Sequence, residues 1–136
     1  MALQAITIGD QIFNRHRRSV DFIKRYIFPG SCIPSITAIS NAVAKATDLR
    51  LVQLEDITPH YARTLSEWRR RFFANVAKVR KMGYSDTFIR MWEYYLCYCE
   101  GGFAERYIGD VQMIFTKPLC RMDFPLSCIN NMPKIR

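Results

Sequence analysis

The sequence predicts a layered α/β fold, and three observations support this prediction. The chain has 136 residues, of which 49% are hydrophobic and 24% are charged, enough for one globular core but not for two ordinary domains. Segments with strand patterns alternate with segments of helical period along the chain. Six Gly, six Pro and 13% aromatic residues, without any repeat, exclude collagenous, solenoid and disordered proteins.

The first half of the chain contains two predicted strands and two predicted helices. Residues 2–8 are rich in β-branched side chains and precede a Gly-Asp turn, so they predict a strand buried on both faces. A helical pattern covers residues 15–27 and ends at the Phe-Pro-Gly sequence of residues 28–30. A second helix is predicted over 34–46, and a strand over 49–57. Because the first strand has no polar lead-in, we expect further strands of the sheet upstream of it.

The second half of the chain predicts two helices and one strand. After a loop at residues 58–60, apolar side chains recur at helical spacing over residues 65–79. Ser85 can cap the next helix, which is predicted to end at the glycine pair of residues 101–102. Apolar and polar residues then alternate over residues 111–116, which predicts a strand.

Two regions are expected on this pattern. Residues 1–118 carry the strands and helices and form the folded region. Residues 119–136 have no clear period and contain Pro125 and Pro133, so we expect an irregular tail.

The sequence favours a cytoplasmic protein. Glu93 interrupts the longest apolar run, which stays well below the roughly 18 residues that a membrane-spanning helix needs. The first eight residues lack the basic region and cleavage site of a secretory signal. Five cysteines without regular spacing do not form a disulfide framework, and we expect buried or half-buried free thiols. With only two histidines, no metal site is predicted, and His16 is expected to be an exposed helix residue.

The charge of the chain favours an anionic partner. The formal net charge is +8, and residues 61–81 contain seven Lys or Arg against Glu67 alone. An anionic membrane surface would attract this helix face, although a solvated surface explains the same pattern. A nucleic acid could use the same charge with Phe72 and Phe73 as stacking groups, but both rings fall on the predicted core stripe, so no nucleic-acid partner is expected.

The residue types alone do not identify a reaction. The sequence contains no GxGxxG, no GxxxxGK[ST] and no GxSxG motif, so it offers no phosphate-binding loop and no nucleophile elbow. Several longer motifs do occur in a fixed order: Ile6-Thr7-Ile8, Arg25-Tyr26-Ile27-Phe28-Pro29-Gly30, His60-Tyr61-Ala62-Arg63-Thr64-Leu65 followed by Trp68, and Met91-Trp92-Glu93-Tyr94-Tyr95-Leu96.

These motifs resemble the C-terminal part of the cyclopropane-fatty-acyl-phospholipid synthase family, over roughly residues 2–118. Members of that family are S-adenosylmethionine-dependent methyltransferases that act on unsaturated acyl chains of phospholipids. The resemblance implies the C-terminal half of a Rossmann-like seven-stranded methyltransferase sheet with an inserted helical cap. It also implies that the S-adenosylmethionine site lies upstream, so no cofactor-binding residue is expected in this chain.

The resemblance also implies an active-site bicarbonate that removes a proton during ring closure. By motif, Tyr61 is the tyrosine that binds the bicarbonate through its hydroxyl, and Ile8 is the residue whose backbone contributes to the same site. Ile6 is a departure, because many relatives have His at this position. The departure leaves open whether the product is a cyclopropane or a simple methylated chain. Without the motif, Tyr61 would be interpreted as a half-buried aromatic at a helix start.

Three further aromatic residues are candidates for binding the substrate. Tyr26, Phe28 and Trp68 could line an acyl channel or stabilise a carbocation through their π faces. Plain packing is the alternative for each of them.

The function predicted from these residues is that of the C-terminal part of a lipid-modifying methyltransferase, peripheral at the membrane surface. Its expected partners are phospholipid acyl chains and an anionic membrane surface. Two alternatives stay open, a lipid- or membrane-binding module without catalysis and a basic nucleic-acid-binding domain.

Overall fold

The computed structural model describes residues 1–121, which form three strands, five α-helices and one π-helical turn. The strands are β1 (Ala2–Ile8), β2 (Arg50–Asp56) and β3 (Ile108–Thr116). The helices are α1 (Asp10–Arg18), α2 (Ile36–Ala46), α3 (Thr58–Ala74), α4 (Val76–Lys81) and α5 (Asp86–Ala104). The π-turn is Ile23–Ile27.

The strands form one open sheet in the order β1-β3-β2, with β3 antiparallel to both neighbours. The two outer strands are therefore parallel to each other, and their connection passes through α1, the π-turn and α2. This mixed α/β arrangement confirms the predicted fold class. The far edge of β1 is unpaired within residues 1–121, and the expectation of upstream strands stays a prediction.

Both faces of the sheet are covered, because side chains of β3 alternate between them. Val111, Met113 and Phe115 pack against α2. Ile108 faces the other side, where α3 and α5 pack as a pair around Leu65, Leu96 and Phe103. This second apolar cluster also forms one wall of the candidate site.

The predicted helix over residues 15–27 is wrong. Helix α1 ends at Arg18, and Ser19 takes an extended conformation while its amide donates to the carbonyls of Arg15 and His16. The Asp21 carboxylate then accepts from the Lys24 amide at 2.9 Å and begins the π-turn. The helical period of the sequence therefore continues through residues 19–21, although the helix itself is interrupted there.

The other boundaries differ by a few residues from the predictions. Thr58, predicted in a loop, begins α3, because the Asp56 carboxylate accepts from its amide at 2.9 Å. The predicted long helix breaks at Asn75, where α3 gives way to α4. The Ser85 cap is confirmed, since its hydroxyl accepts from the Phe88 amide at 3.2 Å.

Two predictions on burial are wrong in part. In β1 only Thr7 and Ile8 are fully buried, because no strand covers the far edge of β1 within the described residues. Of the cysteines in the described region, Cys99 is half-buried as expected, whereas three others are exposed: Cys32, Cys97 and Cys120. No helix within residues 1–121 is both long enough and apolar enough to cross a membrane. The predicted tail lies almost entirely outside the described residues.

Candidate functional site

A cavity of about 650 Å³ lies between β1, the segment from α1 to the π-turn, and the α3–α5 pair. Its wall is mainly apolar and aromatic, with several polar groups, which is the usual composition of a small-molecule site. Four of the residues predicted for catalysis or substrate binding line it: Ile8, Tyr61, Phe28 and Trp68. The fold therefore brings together residues from three segments that are far apart in the sequence.

Tyr61 lies in the first turns of α3 and is half-buried. Its ring packs against Phe103 at a centroid distance of 4.7 Å and meets Trp68 edge-on at 6.4 Å. Its hydroxyl has no hydrogen-bond partner in the described part of the chain. Burial, with a smaller contribution from the Asp110 carboxylate, raises the pKa of the Tyr61 phenol. The phenol therefore stays neutral and can donate a hydrogen bond into the cavity.

Ile8 lies at the end of β1 with 4% of its surface exposed. Its amide donates to the Pro34 carbonyl at 3.0 Å and is therefore not free to bind a ligand. The contribution of the Ile8 backbone to an anion site, which the resemblance implies, stays a prediction. Ile6 also lines the cavity and supplies only apolar surface.

The aromatic candidates divide into two groups. Phe28 and Trp68 line the cavity with 53% and 47% of their surfaces exposed, so they lie at its open side. Tyr26 does not line this cavity. Its ring is 56% exposed and packs against Phe22, with the Arg25 guanidinium 5.4 Å from its centroid. A direct role of Tyr26 in this cavity is therefore not supported.

Sequence reasoning missed several polar residues of the cavity wall, and His16 is one of them. It was expected to be exposed, but only 9% of its surface is accessible, and it lies in the cavity wall. Its Nδ1 is 3.9 Å from Asp21 Oδ2, and its Nε2 is buried without a partner in the described residues. No pattern in the sequence indicates this burial, because the helical period continues through residues 19–21, where the structure ends α1.

Cys99 lies in the cavity wall and is not a candidate nucleophile. Burial, with a smaller effect of the nearby Asp21 carboxylate, raises the pKa of this thiol to about 11. The thiolate is the reactive form, so Cys99 stays unreactive at neutral pH. Within residues 1–121 no cluster of three or more His, Cys, Asp or Glu side chains could hold a metal ion.

Ion pairs with carboxylates offset part of the positive charge of residues 61–81. Four of its seven cations form ion pairs with carboxylates: Arg69 with Glu100, Arg70 and Arg71 with Glu67, and Arg80 with Asp86. Hydrogen bonds from both arginines lower the pKa of Glu67 to about 2. Arg63, Lys78 and Lys81 have no such pair among the described residues and are exposed.

Comparison with known proteins identifies relatives along most of the chain. The model of the family described as mycolic acid cyclopropane synthetase matches residues 1–113. Tuberculostearic acid methyltransferase UfaA1 of Mycobacterium tuberculosis is 40% identical over 112 residues, which are 82% of this chain and 26% of that protein. Cyclopropane-fatty-acyl-phospholipid synthase of Escherichia coli is 33% identical over 96 residues, 71% of this chain and 24% of that protein. The chain thus spans about a quarter of the length of these relatives.

Solved structures confirm the fold. Mycolic acid cyclopropane synthase CmaA1, complexed with SAH and CTAB, has a TM-score of 0.73 at 28% identity, covering 86% of this chain and 44% of that one. Cyclopropane synthase MmaA2 from Mycobacterium tuberculosis has a TM-score of 0.72 at 26% identity, covering 85% and 43%. The sheet and its helices are therefore a part of the cyclopropane synthase methyltransferase fold.

Proposed function

Because this chain belongs to the mycolic acid cyclopropane synthetase family, we propose that it forms the acyl-chain-binding part of a lipid-modifying methyltransferase. The enzyme would transfer a methyl or methylene group from S-adenosylmethionine to an unsaturated acyl chain. The observation that supports this most directly is the cavity, in which Ile8, Tyr61, Phe28 and Trp68 meet. Its volume of about 650 Å³ lies within the range that is typical of ligand pockets.

The wall of the cavity suits the chemistry of methyl transfer to a double bond. S-adenosylmethionine, when bound, would supply an electrophilic methyl group; the π electron pair of the double bond would form the new C–C bond and leave a positive charge on the acyl chain. The rings of Tyr61, Trp68 and Tyr95 line the cavity, and the π faces of aromatic rings stabilise cations. The apolar wall from Ile6, Ile8 and Leu65 excludes water, which would otherwise trap the cation as an alcohol.

The described residues do not by themselves make a bicarbonate site. Tyr61 has a hydroxyl free to donate, but the Ile8 amide is used by Pro34 and Ile6 has no polar group. One hydrogen bond is a weak anchor for a small anion in an apolar cavity. We derive no step through bicarbonate.

S-adenosylmethionine likewise has no site among the described residues. The loops between the elements of residues 1–121 contain no glycine-rich sequence at a helix start that would hold its polar groups. The methyl donor would be bound by the remainder of a protein of the length seen in the relatives, and this chain would supply the acyl-chain wall.

Phospholipid is the proposed substrate, taken from an anionic membrane surface by a cytoplasmic, peripheral protein. The support is charge: Lys78 and Lys81 on α4 are exposed, and the turn that follows carries Met82 and Tyr84, which are 72% and 46% exposed. Cations beside exposed apolar side chains are typical of surfaces that adsorb to anionic bilayers. The nucleic-acid alternative is weaker, because Phe72 packs against the core and only Phe73 is exposed.

A methyl-branched product is favoured over a cyclopropane. The resemblance implies a His at the position of Ile6 in many relatives, and Ile6 has no imidazole; the relative with 40% identity is named a methyltransferase. Both products require loss of one proton from the methylated chain, and they differ in which bond the released electron pair forms.

The experiment uses the complete enzyme, meaning the protein in which an S-adenosylmethionine-binding part precedes this chain. It is incubated with oleoyl phosphatidylglycerol vesicles and methyl-labelled S-adenosylmethionine, and the acyl chains are analysed by mass spectrometry and proton NMR. Label in the acyl chains supports the proposal, and the upfield protons of a cyclopropane ring would exclude the branched product. Vesicle binding without label would favour the non-catalytic lipid module, and tighter binding to single-stranded DNA would favour the nucleic-acid alternative.

A further inference from the structure

A cluster of aromatic rings lies between the π-turn and α5, and the proposed function has not used it. The Phe22 ring packs against Tyr94 at a centroid distance of 4.6 Å and lies 5.5 Å from Tyr26 and 6.1 Å from Tyr98. Tyr26, Tyr94 and Tyr98 are 56%, 53% and 42% exposed. Contiguous apolar surface of this kind marks a site of interaction with a protein or a membrane.

The aromatic cluster continues into the wall of the cavity. Tyr98 belongs to both, because its ring packs in the cluster and its side chain lines the cavity. Phe28, at the open side of the cavity, directly follows the π-turn that carries Tyr26. An acyl chain that leaves the cavity at this side therefore meets the aromatic cluster.

Residues 15–25 add positive charge beside the cluster. They contain five cations against the carboxylate of Asp21: Arg15, Arg17, Arg18, Lys24 and Arg25. None of the five forms an ion pair with a carboxylate within residues 1–121. When Glu105 of the cavity wall is counted as well, the cations still outnumber the carboxylates by five to two. Residues 61–81 differ, because carboxylates pair four of their seven cations.

We propose that the aromatic cluster and the cations of residues 15–25 form the surface that docks on an anionic phospholipid bilayer, with the open side of the cavity toward the acyl chains. This inference rests on the proposed function. Tyrosine rings are enriched at the headgroup level of bilayers, where their hydroxyls reach water. Lys78 and Lys81 on α4 add attraction, but they do not line the cavity and therefore do not orient it.

The apolar part of the surface favours a bilayer over an acidic protein as the partner. Both partners match the positive charge. Val20, however, is 75% exposed between Arg18 and the π-turn, and Tyr26 is 56% exposed with the Arg25 guanidinium 5.4 Å from its ring centroid. Cations interleaved with exposed apolar side chains are typical of segments that lie in the headgroup layer.

The first experiment measures co-sedimentation of the complete enzyme with oleoyl phosphatidylglycerol vesicles and with oleoyl phosphatidylcholine vesicles. Arg18→Gln with Arg25→Gln should weaken binding to the anionic vesicles by about 10-fold at low salt and leave binding to the neutral vesicles unchanged. Tyr26→Ser with Tyr94→Ser should weaken binding to both kinds of vesicle by about 10-fold, because it removes apolar surface rather than charge.

Lys45→Gln with Arg50→Gln is the matched control. It also removes two exposed cations, but Lys45 lies on α2, which covers the face of the sheet opposite α3 and α5. This variant should bind anionic vesicles within about a factor of two of the parent. If it loses as much binding as Arg18→Gln with Arg25→Gln, only the net charge matters and the proposal is overturned.

The second experiment locates the surface by fluorescence quenching with phosphatidylglycerol vesicles whose acyl chains carry bromine. Tyr26→Trp should show more quenching than the parent, whose signal comes from Trp68 and Trp92, and Lys45→Trp should show no added quenching. Equal quenching of Tyr26→Trp and Lys45→Trp would overturn the proposal. A dimer of the parent that Tyr26→Ser with Tyr94→Ser dissociates would also overturn it, because a second copy would then cover the cluster.

Methyl transfer separates this inference from the proposed function. Arg18→Gln with Arg25→Gln should lower labelling of oleoyl phosphatidylglycerol in vesicles but not of the same lipid dispersed in detergent. If the parent labels neither form, the proposed function fails, while binding and quenching still test the surface. If the parent is active and the arginine and tyrosine variants bind vesicles as it does, only the docking surface fails.

Discussion

Replacing Tyr61 with Phe separates the chemistry of this residue from its packing. The substitution removes only the hydroxyl, which has no partner in the described residues, so no buried group is left unsatisfied. The ring contacts with Phe103 at 4.7 Å and Trp68 at 6.4 Å remain. The free energy of unfolding should therefore change by no more than about 0.5 kcal/mol.

Turnover should respond far more strongly than stability. The resemblance implies that the Tyr61 hydroxyl donates to an active-site bicarbonate, and loss of one preorganised donor in an apolar cavity costs about 10²-fold in rate, which is about 2.7 kcal/mol in the barrier. The raised pKa of Tyr61 keeps the proton on the phenol, so the loss should be the same across neutral pH. The assay is single-turnover label transfer by the complete enzyme to oleoyl phospholipid vesicles.

Tyr61→Ala provides the comparison. It removes the half-buried ring as well as the hydroxyl and should destabilise the fold by about 1–2 kcal/mol, less than the full cost for a completely buried aromatic residue. If Tyr61→Phe turns over within a factor of two of the parent while Tyr61→Ala is unstable, Tyr61 only packs, and the assigned role of its hydroxyl is refuted.

Three further predictions concern charge and titration. Lys78→Glu with Lys81→Glu should weaken binding of the chain to anionic vesicles, and salt should weaken binding of the parent, as measured by co-sedimentation. The pKa of His16 in the folded chain lies below its ordinary value of 6.5, so the imidazole binds a proton more readily in the unfolded chain. The free energy of unfolding should therefore decrease as the pH falls through about 6.5 toward the folded-state pKa. His16→Gln should remove that part of the pH dependence in urea titrations. Iodoacetamide at neutral pH should modify exposed Cys32 well before Cys99, whose pKa is about 11, as read by mass spectrometry.

Each of these predictions has a result that would contradict it. Equal binding to neutral and anionic vesicles at low salt would exclude charge as the cause of adsorption. Identical slopes of stability against pH for the parent and His16→Gln would show that His16 titrates alike in both states. Modification of Cys99 as fast as Cys32 would mean that the wall of the cavity opens readily to solvent.

Local chemistry allowed several elements to be predicted from the sequence. The β-branched run of residues 2–8 forms β1, and the apolar spacing after Ser35 forms α2. Ser85 caps α5 through its own hydroxyl. Each of these depends on residues within one or two turns of each other, so the sequence pattern contains the relevant interactions.

The family motifs supplied the candidate site residues, and the structure shows which of these residues lie around one cavity. Tyr61, Phe28 and Trp68 line one cavity with Ile8, whereas the ring of Tyr26 packs against Phe22 instead. A motif shows which residue types occur together in a family. The direction of a side chain depends instead on the backbone conformation of the segment to which it belongs.

Composition, charge and short-range pattern thus determined the fold class, most elements and the family motifs. Tertiary structure decided the break after Arg18, the burial of His16 beside Asp21, and the use of the Ile8 amide by Pro34. It also paired Arg69 of α3 with Glu100 of α5, and Arg80 of α4 with Asp86 of α5. The physical reason is the same in each case: burial, hydrogen bonds and ion pairs between separate segments depend on distances in space, which the order of residues along the chain does not contain.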